Sequence, residues 1–187
     1  MNEEVIKAVD VLKAGGLILY PTDTIWGIGC DATNTEAVKK VYAIKKRQEA
    51  KSLIVLVDNT IRLERTIEEV PEVAWDLIEY SEKPVTIIYD KPKGIAANAV
   101  HKDKSLGIRI VKDKFCKELI RKLNKPIVST SANISGKKQA TNFSEIDQEI
   151  KNAVDHIVNL RREEQNLNQS SMVIKLDASG LINIIRK

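Results

Sequence analysis

The chain is poor in the residue types that build several kinds of functional site. Its 187 residues include two cysteines and two histidines. Cys30 and Cys116 show no metal-ligand spacing, and His101 with His156 cannot supply a histidine-rich metal centre. The cysteines read as buried, reduced thiols of a cytoplasmic protein. Aromatic residues make up 4% of the chain, which argues against a dedicated single-strand nucleic-acid binder, whose bases stack on exposed rings. No apolar run approaches the roughly 20 residues needed to span a bilayer, so no membrane association is expected. The opening Met1-Asn2-Glu3-Glu4 lacks the basic and apolar regions of a secretion signal. The phosphate-loop patterns GxxxxGK[ST] and GxGxxG are also missing.

What remains is an ordinary apolar and charged composition with a slight basic surplus. Lys and Arg number 30 against 26 Asp and Glu, a formal charge of +4. That surplus suits a polyphosphate ligand or weak RNA contact. The length suits one domain covering residues 1–187.

Val5, Ala8, Val9 and Leu12 follow helical spacing, stopped by Gly15-Gly16. Leu17 to Tyr20 reads as a buried strand. Thr33-Asn34-Thr35-Glu36 opens a capped helix with Val38, Val41, Tyr42 and Ile44 on its apolar face. Leu53 to Val57 is a continuous run typical of a central strand covered on both faces. Pro71 suits the first turn of a helix carrying Ala74, Trp75, Leu77 and Ile78. Pro84 to Tyr89, Leu106 to Ile110 and Pro126 to Val128 read as strands, with a helix at Phe115, Leu119, Ile120 and Leu123. Ser144 is expected to cap a further helix. Met172 to Leu176 and Leu181 to Ile185 form a hairpin pattern. Interspersed strands and helices predict a single α/β domain on a mixed sheet. Arg161 to Ser170 is polar and weakly patterned, a candidate mobile loop or lid.

Three polar constellations interrupt this frame. In Pro21-Thr22-Asp23-Thr24 two hydroxyls and a carboxylate sit on a turn leaving a buried strand, and Gly27 and Gly29 permit close backbone approach. Lys45-Lys46-Arg47-Gln48-Glu49-Ala50-Lys51-Ser52 precedes the central strand. Lys45 and Arg47 would point about 200° apart on a helix, so a shared ligand requires the helix to end near Lys45. Ser129-Thr130-Ser131-Ala132-Asn133-Ile134-Ser135-Gly136 places small hydroxyls, an amide and backbone N–H groups at the end of the Pro126 to Val128 strand, suited to phosphate or carboxylate oxygens. Arg109, inside an apolar strand, either faces solvent or clamps an anion. Trp26 and Trp75 read as core or rim residues.

YPTDTIWGIGCDA, IKKRQEAKSLIVLV, PVTIIY, SLGIRI and IVSTSANISG, in this order, resemble the YrdC/TsaC family of threonylcarbamoyladenylate synthases in its short single-domain form. The resemblance implies a twisted mixed sheet, with helices around a large basic cavity. It implies a nucleotidyltransferase that converts L-threonine, bicarbonate and ATP, with Mg²⁺ held mainly by phosphates and water, to threonylcarbamoyl-AMP and pyrophosphate. Downstream enzymes then transfer the threonylcarbamoyl group to tRNA. The family's K-x-R and S-x-N polar set maps to Lys45, Arg47, Ser131 and Asn133. By the same analogy Thr24, Arg109, Ser129 and Ser171 hold threonine, while Arg47, Lys51, Ser105, Ser131 and Arg186 line the ATP site. Three segments depart from the family pattern. W-P-G-P-x-T is here Glu82-Lys83-Pro84-Val85-Thr86 after Ser81, P-S-T is Ser170-Ser171-Met172, and Glu163 to Gln169 replaces a glycine-rich stretch. The rival readings are an RNA-binding or ribosome-associated module of the same fold, and the carbamoyltransferase domain of hydrogenase maturation factors. The latter proteins are much longer and carry Cys-rich zinc segments.

Overall fold

The computed structural model describes residues 1–46, 53–165, 169–176 and 181–186. In chain order the elements are α1 (Asn2–Lys13), β1 (Ile18–Tyr20), β2 (Gly27–Asp31), α2 (Thr35–Lys45), β3 (Ile54–Val57), α3 (Thr60–Thr66), α4 (Glu72–Tyr80), β4 (Val85–Asp90), β5 (Ser105–Ile110), α5 (Lys114–Leu123), β6 (Ile127–Ser131), α6 (Gln148–Ala153), β7 (His156–Ile157), β8 (Met172–Leu176) and β9 (Ile182–Arg186). All the strands join one mixed sheet in the order β7-β1-β2-β6-β3-β5-β4-β8-β9. The α/β class and mixed sheet are those expected. Among the described residues no helix is long and apolar enough to cross a membrane.

The Leu53 to Val57 run becomes the central strand, parallel to β5 and antiparallel to β6. Side chains alternate between the two faces of a strand. One face presents Ile28, Val55, Ile87, Ile108 and Ile174 to a core completed by Val38 and Val41 of α2, Leu63 of α3 and Ala74 of α4. The other presents Ile18, Tyr20, Leu56 and Ile127 to Val5, Val9 and Leu12 of α1 and to Phe115, Leu119 and Leu123 of α5. On this second face the apolar rows do not continue. Beyond Ile127 come Ser129 and Ser131, and beside Leu56, in register, stands Arg109.

Helix α2 begins at an Asn34 cap, whose Oδ1 accepts from the amides of Glu36 and Ala37. It ends at Lys45, because Lys46 takes the left-handed conformation (φ 47°). That is the end point a shared Lys45 and Arg47 ligand requires.

The structure departs from the sequence patterns in four places. Gly27–Asp31 is a strand, hidden because its glycines carry no alternation. Those glycines are required by contact: a Cβ on Gly29 would lie 2.6 Å from Tyr20 Cε1, and one on Gly27 3.0 Å from Ser129 Oγ. Strand β6 runs on through Ser129–Ser131, so these hydroxyls belong to the strand rather than to a turn after it. Helix α6 is capped by Asp147, not Ser144, whose hydroxyl donates instead to Asn142 Oδ1 at 2.7 Å. The seven-residue α3, capped by Asn59, is too short to show a period.

Candidate active site

The β1–β2 turn is built by its own hydroxyls. Thr22 Oγ1 donates to Ile25 O at 2.8 Å and accepts from the Thr24 amide at 3.0 Å. With the Thr22 proton committed, the 2.9 Å contact between the two hydroxyls has Thr24 as donor. Thr24 Oγ1 therefore keeps its lone pairs, and one of them accepts from Arg109 Nη1 at 3.2 Å. Arg109 reaches across from β5 and is 5% exposed, so the solvent-facing reading of this residue is excluded. Its Nη2 lies 3.1 Å from Asp23 Oδ1. The other Asp23 oxygen accepts from the Lys112 amide at 3.1 Å. Arg109 Nε is buried and has no hydrogen-bond partner among the described residues.

A second wall comes from the end of α2. Lys45 is 2% exposed, and its ammonium donates to Ser131 O at 2.5 Å, to Asn133 Oδ1 at 3.2 Å and to Asn133 O. Ser131 Oγ donates to Asn133 Oδ1 at 2.5 Å, and Asn133 Nδ2 donates to Lys137 O at 2.7 Å. The Lys-x-Arg lysine and the Ser-x-Asn pair thus form one network, with Lys45 fixing the chain as it leaves β6. Burying an ammonium requires this density of acceptors.

A third wall joins β4 to β8. The buried hydroxyls of Thr86 and Ser171 meet at 2.7 Å. Arg186 of β9 folds back and donates from Nε and Nη2 to Ser171 O at 3.1 and 2.9 Å. Partial burial, followed by the like charge of Arg109, lowers the Arg186 pKa from its ordinary value. The two guanidiniums therefore share one electrostatic neighbourhood.

These walls enclose a cavity of about 400 Å³. Thr24, Arg109, Ser129, Ser131, Ser171 and Arg186 line it, as do Trp26 and Gly107. Lys45 and Asn133 do not line it but are bonded to Ser131, which does. Ser105 is not brought to the cavity: it lies at the start of β5 with its hydroxyl donating to Asp103 Oδ1 at 2.5 Å. Arg47 and Lys51 lie outside the described residues. Sequence reasoning missed Thr86 and Gln139, which also line the cavity. The signal for Thr86 was available, a lone hydroxyl in an apolar strand. Trp26 is a core residue that also lines the cavity, tilted against Phe143 with ring centroids 4.8 Å apart.

The polar segment from Arg161 is tethered at its described ends. Arg161 Nη2 lies 3.0 Å from Asp113 Oδ2, and Ser170 Oγ donates to Gln139 Oε1 at 2.7 Å. Both cysteines are free and buried, and burial pushes their thiols up in pKa.

The family model Sua5/YciO/YrdC, described as Telomere recombination, matches residues 10–187. The chain belongs to this family. A Methanocaldococcus jannaschii protein provisionally named threonylcarbamoyl-AMP synthase is 35% identical over 188 residues, covering 98% of this chain and 87% of that protein. A Hahella chejuensis threonylcarbamoyl-AMP synthase is 31% identical over 151 residues, covering 80% of this chain and 82% of its own. Among solved structures, Pyrococcus abyssi Sua5 complexed with L-threonine superposes with a TM-score of 0.84 at 26% identity over 92% of this chain. The chain spans half the length (50%) of that Sua5 chain.

Proposed function

We infer that the chain is an enzyme of the activity its relatives are named for, threonylcarbamoyl-AMP synthesis. The observation that carries this is the buried Arg109 guanidinium at the cavity, braced by Thr24 and Asp23 and still holding an unpartnered donor. A guanidinium with spare N–H capacity is suited to a carboxylate. L-threonine, the ligand of the Sua5 structure, supplies one. Thr24 and Ser129 line the same cavity and can partner its other polar groups.

The amine of threonine condenses with bicarbonate, losing water, to give a carbamate. A carbamate oxygen then attacks the α-phosphorus of ATP. The bond from that phosphorus to the bridging oxygen breaks, and pyrophosphate leaves with the electron pair. Attacker and target are both anions, so the work lies in alignment and fixed positive charge rather than in a covalent nucleophile. Arg186 supplies that charge on the ATP side, and the family resemblance assigns Arg47 and Lys51 to the same task. Lys45 holds Ser131 in place for the phosphates through the network with Asn133. This makes the enzyme a nucleotidyltransferase.

Among the described residues no three or more His, Cys, Asp or Glu side chains are grouped to hold a metal. Mg²⁺ would enter with ATP, held mainly by phosphate oxygens and water, and would offset phosphate charge there. The product passes to the enzymes that place the threonylcarbamoyl group on tRNA, work that belongs in the cytoplasm.

The test is pyrophosphate release by the purified chain with Mg²⁺, requiring L-threonine, bicarbonate and ATP together, with the mixed anhydride detected by mass spectrometry. Release that ignores threonine, or ATP turned over only to ADP, overturns the reading.

A further inference from the structure

We propose that Asp23 is a positioning residue for threonine binding, acting only through Arg109. The proposal rests on the reading that Arg109 holds the amino acid's carboxylate. Asp23 is not among the residues lining the cavity. Its side chain is 10% exposed, and its two oxygens face two different parts of β5 and its exit. Oδ1 lies 3.1 Å from Arg109 Nη2, and Oδ2 accepts from the Lys112 amide at 3.1 Å.

The consequence follows from guanidinium geometry. An arginine side chain has many rotamers, and one reaching from a strand into a cavity spreads over several unless its planar fork is fixed at more than one nitrogen. Thr24 Oγ1 holds Nη1 by a hydrogen bond, and Asp23 Oδ1, which accepts no hydrogen bond among the described residues, holds Nη2 by charge at 3.1 Å. With both ends of the fork held, the orientation of Nε and of the remaining Nη protons is set before a ligand arrives. Thr24 and Asp23 are neighbours on the β1–β2 turn, whose shape is imposed by Thr22. The carboxylate is anchored in turn by the Lys112 amide, so the turn is tied to the chain leaving β5. Asp23 also offsets the charge of a buried guanidinium that has the like charge of Arg186 in its neighbourhood. A negative charge beside an anion-binding arginine is unfavourable for affinity on charge alone. Its presence therefore argues for orientation as its contribution.

Asp23→Asn keeps the size and an acceptor for Lys112 N but removes the charge that holds Nη2. Calorimetric titration is expected to show L-threonine binding about tenfold weaker, the worth of one charge-assisted contact. ATP binding should change by less than about twofold. In an Arg109→Gln background the same substitution should cost no further threonine affinity. A second tenfold loss there would show that Asp23 acts independently of Arg109, which overturns the proposal. A ligand-free readout separates this idea from the functional reading. The Arg109 Nε–H cross-peak, identified by its absence from Arg109→Gln, should move or exchange about tenfold faster in Asp23→Asn. An unchanged cross-peak overturns the positioning role. A changed cross-peak in a protein that binds no threonine supports the role and sinks the functional reading instead. If Asp23→Asn does not fold, Asp23→Glu, which keeps the charge but displaces it, should reproduce the threonine defect. Wild-type threonine affinity in that variant also overturns the proposal.

Discussion

One face of the sheet is finished in two different ways. Over β1, the start of β6 and the end of β3, the helices α1 and α5 cover large side chains, and Tyr20, Leu56 and Ile127 are fully buried. Over β5, β4, the start of β2 and the end of β6 the same face carries Gly107, Arg109, Thr86, Gly27, Ser129 and Ser131, with Ser171 just before β8, and a cavity takes the place of a helix. The first half is held by apolar area, the second by hydrogen bonds and ion pairs. Both are stable solutions for a sheet face, because a buried polar group costs little once it is partnered. Only the second leaves directional groups pointed at a shared space.

The comparison breaks first if the covered half turns out to govern binding. Leu119→Ala removes a fully buried side chain from the α5 contact with the sheet. It should lower the unfolding free energy by about 2–5 kcal/mol in a denaturant titration. Threonine affinity measured well below the melting point should be unchanged. A loss of affinity in the folded protein would mean that the two halves are not separable.

Arg109→Gln is the converse probe. Threonine binding should weaken by at least about tenfold, from roughly 1.5–3 kcal/mol of lost charge-assisted contact, and more than ATP binding. It also leaves Asp23 as a buried charge without its partner, so some fall in melting temperature is expected. Equal weakening of both ligands by calorimetry would make Arg109 a structural residue.

A smaller effect is expected at the cavity floor. A Cβ on Gly107 would meet Thr86 Cγ2 at 3.3 Å, so the threonine must yield by a few tenths of an ångström. Gly107→Ala should cost about 1 kcal/mol in stability and disturb the Thr86–Ser171 hydroxyl pair. Threonine affinity should fall about fivefold, since 1 kcal/mol is a factor of that order. An unchanged affinity would place the amino acid away from β4 and β5.

How much of this was legible follows the same divide. The covered half announces itself, because Val5, Ala8, Val9 and Leu12, or Phe115, Leu119, Ile120 and Leu123, repeat at helical spacing and the repetition is the burial. The open half does not repeat. Gly27 and Gly29 carry no side chain to alternate, so β2 reads as a loop although it pairs with both β1 and β6. Thr24, Ser129 and Ser131 stand out as polar residues beside buried strands, and all three line the cavity. The depth of Lys45 could not be read, because a lysine in the last helical turn usually complements the macrodipole from the surface. Its burial depends on acceptors 86 and 88 residues away. The pairing of Asp23 with Arg109 is hidden for the same reason.

The smallest expected effect concerns how the open half is held at the start of β5. Asp103 Oδ1 lies 2.5 Å from Ser105 Oγ and 2.7 Å from His101 Nδ1, and Oδ2 lies 3.2 Å from Lys175 Nζ on β8. The cluster ties β5 to β8 across β4 without a covering helix. The hydrogen bond from the Ser105 hydroxyl does most to hold the Asp103 carboxyl below the ordinary carboxylate range; burial pushes the other way, and His101, the Ser105 amide and Lys175 each add a smaller lowering. A carboxyl lowered in the folded state stabilises above its unfolded value, near 4, and that contribution is lost as pH falls. The side chains of Asp103 and Lys175 are 44% and 39% exposed, so solvent screening limits the gain. Asp103→Asn should therefore cost no more than about 1 kcal/mol at neutral pH. The deficit should shrink toward zero as the pH is lowered below about 4, whereas that of Leu119→Ala, which titrates nothing, stays constant. Urea titrations of the three proteins at neutral and acid pH decide it. A pH-independent Asp103→Asn deficit would mean that this end of the sheet is held by the shape of the loop, not by its charge.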